Sequence, residues 1–165
     1  MITKAQLPPR KGYVERINPT TGEHYYHKVY TKVGTVHRNI CITKSQEFRF
    51  TKHTTLAKVT IIGGGGSKSS GADGGAAETA IKFINISNAK PIYINIGKAG
   101  SNGLSGEPTS FGDLLAAMGG ITGAGTASIS KPITIDGITY GIGETDNGPA
   151  TNGVCIIEYD EVIYE

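Results

Sequence analysis

The sequence predicts a mainly β fold: a glycine-rich, β-sandwich-like domain led in by a β-ribbon and an extended arm. Three observations predict it. Isoleucine gathers in short runs of strand length, such as Ala57–Ile62, Pro91–Ile96 and Val154–Tyr159. All but Gly12, Gly22 and Gly34 of the 24 glycines lie between Gly63 and Gly153. Finally, the one segment with helical propensity, Leu114–Met118, is five residues long and bounded by Gly112 and Gly119-Gly120, so it also reads as strand. Glycine gives up more backbone freedom on folding than any other residue. Used this heavily between apolar strands, it points to tight turns and closely packed main chain that present loops.

Residues 1–12, with Pro8-Pro9, read as an extended arm. Tyr13–Ile17 and His24–Tyr30 are rich in strand formers, and Asn18-Pro19-Thr20-Thr21-Gly22-Glu23 between them is turn chemistry, so residues 13–30 form a hairpin. Thr35–Ile42 is a further strand, polar on both faces. Glu47-Phe48-Arg49-Phe50 alternates and leads into the strong strand Ala57–Ile62. Glu78–Ile86 follows the first glycine run. In Pro91–Ile96 the alternation puts Ile92, Ile94 and Ile96 on one face and Tyr93 and Asn95 on the other. Asp136-Gly137 inside Ile133–Tyr140 suits a type I′ hairpin turn. Val154–Tyr159 is apolar enough to be a central strand paired with Ala57–Ile62. The chain thus divides into an N-terminal attachment or oligomerisation segment, 1–45, and a glycine-rich β domain, 46–165.

At 165 residues and 38% hydrophobic content, the core is thin and oligomerisation would add burial. The net charge of +2 hides an asymmetry: the basic residues concentrate before Gly63 and the acidic ones after it. No nucleic-acid-binding module is recognisable, and no run approaches membrane-spanning length or a signal peptide. Cys41 and Cys155 form no CxxC unit and read as small core hydrophobes.

Gly63-Gly64-Gly65-Gly66-Ser67-Lys68-Ser69 tempts a phosphate-loop reading, but Ser67 stands where the glycine before lysine belongs, and Ser70–Gly75 cannot start a helix. His24 and His27, three apart on a strand, face opposite ways and do not chelate one metal. The scattered acids form no evident catalytic pair, and Ser69, Ser110 and Ser130 lack a nucleophile-elbow context. No catalytic residue, metal ligand or cofactor is therefore assigned. What remains is surface. Ser67–Gly75, Gly100–Pro108, Gly119–Ser130 and Gly143–Gly153 are loops rich in Ser, Asn, Thr and Gly, suited to recognising sugars or a surface protein. The candidate contacts are Ser67, Lys68, Ser69, Asn102, Ser105, Asp146, Asn147 and Asn152.

Five units then recur in a familiar order. They are Val59-Thr60-Ile61-Ile62-Gly63-Gly64-Gly65-Gly66, Ile92–Gly100, Thr109-Ser110-Phe111-Gly112, Ala117-Met118-Gly119-Gly120 and Gly153–Tyr159. In this the chain resembles the glycine-rich domain of phage tail-fibre and tail-tip proteins, from about Phe48 to Tyr159. Two departures, fewer glycines than in many such domains and Ile121–Ser130 in place of a polyglycine tract, argue against a polyglycine-II core. The resemblance implies a non-enzymatic component of a phage tail or phage-derived particle, made in the host cytoplasm and present as a homotrimer. Its loops would bind a host polysaccharide or outer-surface protein, and residues 1–45 would join other tail proteins; deleting them is expected to abolish particle incorporation but leave a folded domain. The alternatives are a baseplate, spike-tip or fibre-assembly protein without receptor contact, and an enzyme degrading surface polysaccharide.

Overall fold

The computed structural model describes residues 13–21, 23–29, 32–87, 90–125 and 133–164, and within these the fold is all-β, with no helix. The chain divides into two compact units, residues 1–36 with 162–165, and residues 37–161. The predicted arm, residues 1–12, lies outside the described residues.

In the smaller unit, β1 (Tyr13–Ile17) and β2 (His24–Lys28) form the predicted antiparallel hairpin, with Tyr13 opposite Lys28 and Ile17 opposite His24. The Asn18 side chain shapes the turn: its Oδ1 accepts from the Thr20 and Thr21 N–H groups at 2.9 and 3.3 Å. Val14, Ile17 and Tyr25 are exposed on this ribbon.

The larger unit is a sandwich of two four-stranded sheets. In one the order is β3-β12-β5-β6, where β3 is Lys32–Ile42, β5 Leu56–Ile62, β6 Thr79–Asn85 and β12 Val154–Tyr164. In the other it is β4-β7-β8-β9, with β4 Gln46–Phe48, β7 Ile92–Asn95, β8 Thr109–Phe111 and β9 Leu115–Ala117. Strands β3 and β12 cross the unit boundary. The apolar C-terminal run is central, as its composition predicts: β12 pairs antiparallel with β5, Val154 opposite Ile62 and Tyr159 opposite Ala57. In β7, Ile94 is buried while Tyr93 and Asn95 are exposed, matching the alternation, and Leu114–Met118 contains a strand.

Both sheets turn one face to a common core of Val59, Ile61, Cys155 and Ile157 against Ile94, Ile96, Phe111 and Ala117. Phe48, Phe50 and Tyr159 close it with edge-on ring contacts, centroids 5.0–6.4 Å apart. A second, smaller core lies on the outer face of the β5–β12 sheet. There the hairpin β10 (Thr134–Ile135) and β11 (Ile138–Thr139) packs Ile133, Ile135 and Tyr140 near Ile62 and Val154. Asp136 and Gly137 have φ of 51° and 78°, the pair of left-handed residues that a type I′ turn needs.

Cys41 corrects the sequence expectation. It is exposed, because Ile42 takes the inward position and alternation turns Cys41 outward; only Cys155 is a core residue. Burial pushes the Cys155 thiol up to about 12.

Beyond Ile62 and Val154 the strands change character. Gly63–Gly66 have no strand assignment, yet all four are buried and every N–H is bonded. Gly63 donates to Glu78 O, Gly64 to Glu107 O, Gly65 to Thr151 O and Gly66 to Gly75 O, at 2.9–3.2 Å. The fourth bond returns to the segment that took the first. Three residues per turn with no internal hydrogen bonds is the polyproline-II geometry. The carbonyls of Gly64, Gly65 and Gly66 accept from Gly120, Gly100 and Glu144. Six segments, 74–78, 97–100, 104–107, 118–121, 141–144 and 151–153, therefore surround one.

The ring also closes on itself. Gly106 bonds Gly120, Gly75 bonds Ile121, Gly74 bonds Glu144, Gly141 bonds Asn152, Gly153 bonds Gly97 and Glu107 bonds Lys98. A polyglycine-II-like bundle is thus present, against the sequence expectation. Six short, separate segments supply what one long glycine tract would. Close approach is what requires glycine here. A Cβ on Gly64, Gly65 or Gly106 would come closer than 3.0 Å to the carbonyl of Lys98, Ile142 or Gly64, respectively.

Candidate recognition surface

The hydrogen-bond register fixes the direction of each bundle segment. Gly63 meets Glu78 and Gly66 meets Gly75, so 63–66 runs away from the sandwich and 74–78 returns. Likewise Ser67 bonds Leu104 and Gly64 bonds Glu107, so 104–107 returns toward β8. Segments 118–121 and 141–144 run outward, with Ile121 and Glu144 level with Gly75 and Gly74. Three connections between outward and returning segments, 67–73, 101–103 and 145–150, and the described start of a fourth, 122–125, therefore gather at one end of the bundle, the end farthest from the sandwich.

Three of these connections are tight turns. Ser69 and Ala72 exchange two backbone bonds at 3.0–3.1 Å around Ser70 and Gly71, both at positive φ. Leu104 N donates to Ser101 O at 3.1 Å around Asn102 (φ 53°) and Gly103 (φ 78°). Thr145 and Gly148 pair around Asp146 and Asn147, and Thr145 Oγ1 accepts from the Asn147 N–H at 3.1 Å. The fourth connection starts at Thr122; Gly123 N donates to Ser67 O and Gly125 N to Asp73 O. Residues 126–130 of the predicted loop Gly119–Ser130, and 131–132 after it, lie outside the described residues.

The candidate contacts fall in different places. Asn102, Ser105, Asp146, Asn147 and Asn152 are exposed, and Lys68 and Ser69 are half-buried. Ser67 is fully buried. Its Oγ donates to Leu104 O at 2.8 Å and its own carbonyl accepts from Thr122 Oγ1, so it braces loops and offers no surface. Asn152 Oδ1 accepts from the Ala99 N–H at 2.8 Å, and Ser105 Oγ from the Thr122 N–H at 3.0 Å.

Lys68 ties the first loop to the last. Its N–H donates to Glu144 Oε2 at 3.0 Å and its ammonium pairs with Asp146. The bond to Asp146, with the nearby charges of Asp73 and Glu144, raises the Lys68 pKa, and the bond from Lys68 holds Asp146 below the usual carboxylate value.

Leu104 and Ile121 were not among the predicted contacts, yet they are 64% and 66% exposed at this end. The signal was the spacing Met118–Ile121: with three residues per turn both point outward, and Met118 is 63% exposed. The rejected phosphate-loop reading now has a structural counterpart. All four N–H groups of Gly63–Gly66 are spent on carbonyls, and none is left to cradle an anion. Among the described residues no cluster of His, Cys, Asp or Glu could hold a metal. No protein-family model matches the chain, and no curated protein matches it.

Proposed function

We propose that this protein is a tail-fibre or tail-tip component of a phage or phage-derived particle, and that its loops bind the bacterial host surface. The observation that carries the reading is the gathering of three connecting loops and the described start of a fourth at one end of a bundle whose backbone is locked on all sides. Loops on such a platform lose little conformational entropy when they bind. A particle multiplies shallow contacts by copy number, so flat polar tips suffice.

The test is to exchange residues 101–104 and 145–148 between host-range variants and measure adsorption. The expected outcome is adsorption that follows the loops. Unchanged adsorption would favour a structural spike or baseplate role without receptor contact. Particle attachment is assigned to the N-terminal segment. A cut at residue 45 would also remove Ile42 from the core, so the informative truncation ends before His37. That variant is expected to fold and to be lost from particles.

A further inference from the structure

We infer that the receptor is a protein, gripped at the tip by an aliphatic anchor formed by Leu104 and Ile121. The inference rests on the receptor-binding reading above and names the chemistry of its partner. These two side chains are the most exposed large hydrophobics of the bundle, and they stand on neighbouring segments joined by the Gly106–Gly120 bond. Met118, one turn below Ile121, extends the patch down the side of the bundle.

The anchor is held rigidly. Leu104 O accepts from both the N–H and the Oγ of buried Ser67, and Ser67 O accepts from the Gly123 N–H and from Thr122 Oγ1. Ser105 Oγ accepts from the Thr122 N–H and links the two loops directly. One buried serine thus fixes the backbone beneath both aliphatic side chains. Preorganised apolar groups of this kind make the energetic centres of protein–protein contacts.

The surroundings argue for a protein over a sugar. No aromatic residue lies on the four described loop segments, so a sugar ring finds no flat face to stack on. Three hydroxyls close to the anchor bond within the bundle: Ser67 Oγ and Thr122 Oγ1 donate to backbone carbonyls, and Ser105 Oγ accepts from the Thr122 N–H. Around Lys68, the residue after Ser67, the acids Asp73, Glu144 and Asp146 outnumber the one cation, which favours a partner carrying Lys or Arg beside its apolar side chain.

The test uses the full chain, immobilised, with outer-envelope vesicles from a panel of bacterial strains as probe. Vesicles are applied untreated, protease-stripped or periodate-oxidised. The expected result is binding to vesicles of at least one strain that protease abolishes and periodate spares. The double variant Leu104→Ser/Ile121→Ser should bind about tenfold or more weakly with an unchanged unfolding midpoint. Two results overturn the inference while leaving receptor binding intact: wild-type affinity in the double variant, or binding that periodate abolishes and protease spares. Failure of the wild-type chain to bind vesicles of any strain removes the receptor reading, and this inference with it.

Discussion

The sandwich and the bundle solve the same packing problem with opposite materials. In the sandwich, two sheets stand apart and bulky side chains, Phe111, Ile61 and Ile94 among them, fill the space between. In the bundle there is no such space: main chain lies directly on main chain, and the filling is hydrogen bonds. One region fails when volume is removed and the other when volume is added. The transition is abrupt. Ile62 and Val154, both fully buried, are followed and preceded directly by Gly63 and Gly153.

The comparison can be tested at its two centres. Phe111→Ala should destabilise the larger unit by about 3–5 kcal/mol by leaving a cavity. Gly65→Ala, a single added methyl, should cost about 3 kcal/mol, because the Ile142 carbonyl it meets is backbone and cannot rotate away. Denaturant unfolding measures both. If Gly65→Ala proves neutral, the bundle is looser than its contacts indicate. A milder test is Gly137→Ala, which places a Cβ at φ 78° with nothing nearby to clash. It should cost about 1 kcal/mol, from backbone conformation alone. The contrast between Gly65 and Gly137 then separates crowding from torsion as the reason for glycine.

Much of the sandwich was legible. Alternation in Ile92–Ile96, the Asp136-Gly137 pair and the apolar Val154–Tyr159 run each encode their outcome locally, through side-chain face or turn torsion. The bundle was not legible in the same way. Its segments carry no periodic hydrophobic signal, and Gly63–Gly66 depend on partners from Gly75 to Thr151, which no short window contains. Cys41 was misjudged for a related reason: its hydrophobicity suggests burial, but its position is set by the phase of β3. The exposure of Leu104 and Ile121 was hidden because the three-residue period matters only once the polyproline-II geometry is known.

Smaller effects sharpen the picture further. Cys41, exposed but with its thiol raised by partial burial and by Asp136, should react slowly with a thiol reagent at pH 8 in the native protein, while Cys155, its thiol pushed up to about 12 by burial, reacts only on unfolding. Two thiols labelled at equal rates would mean that the sandwich core opens readily. The smallest effect belongs to the exposed Lys68–Asp146 pair. Asp146 is depressed, so its contribution is present above the ordinary carboxylate value and lost as pH falls through its lowered one. Lys68 is raised, so its contribution persists below the ordinary lysine value and is lost as pH rises through its raised one. The Lys68–Asp146 tether should therefore be constant from about pH 5 to about 9, and following the Lys68 ammonium and Asp146 carboxylate resonances by NMR across pH measures it.

The central glycine segment has a consequence for synthesis. Its neighbours are distributed along the chain as far as Thr151, and the strand that anchors the last of them, β12, begins at Val154. A ribosome must release the chain beyond Val154 before residues 63–66 can hold all of their hydrogen-bond partners. Until then these buried amides are solvated and the nascent chain holds an incomplete sheet, so maturation of the bundle is a late, nonlocal event whose rate is limited by loop closure.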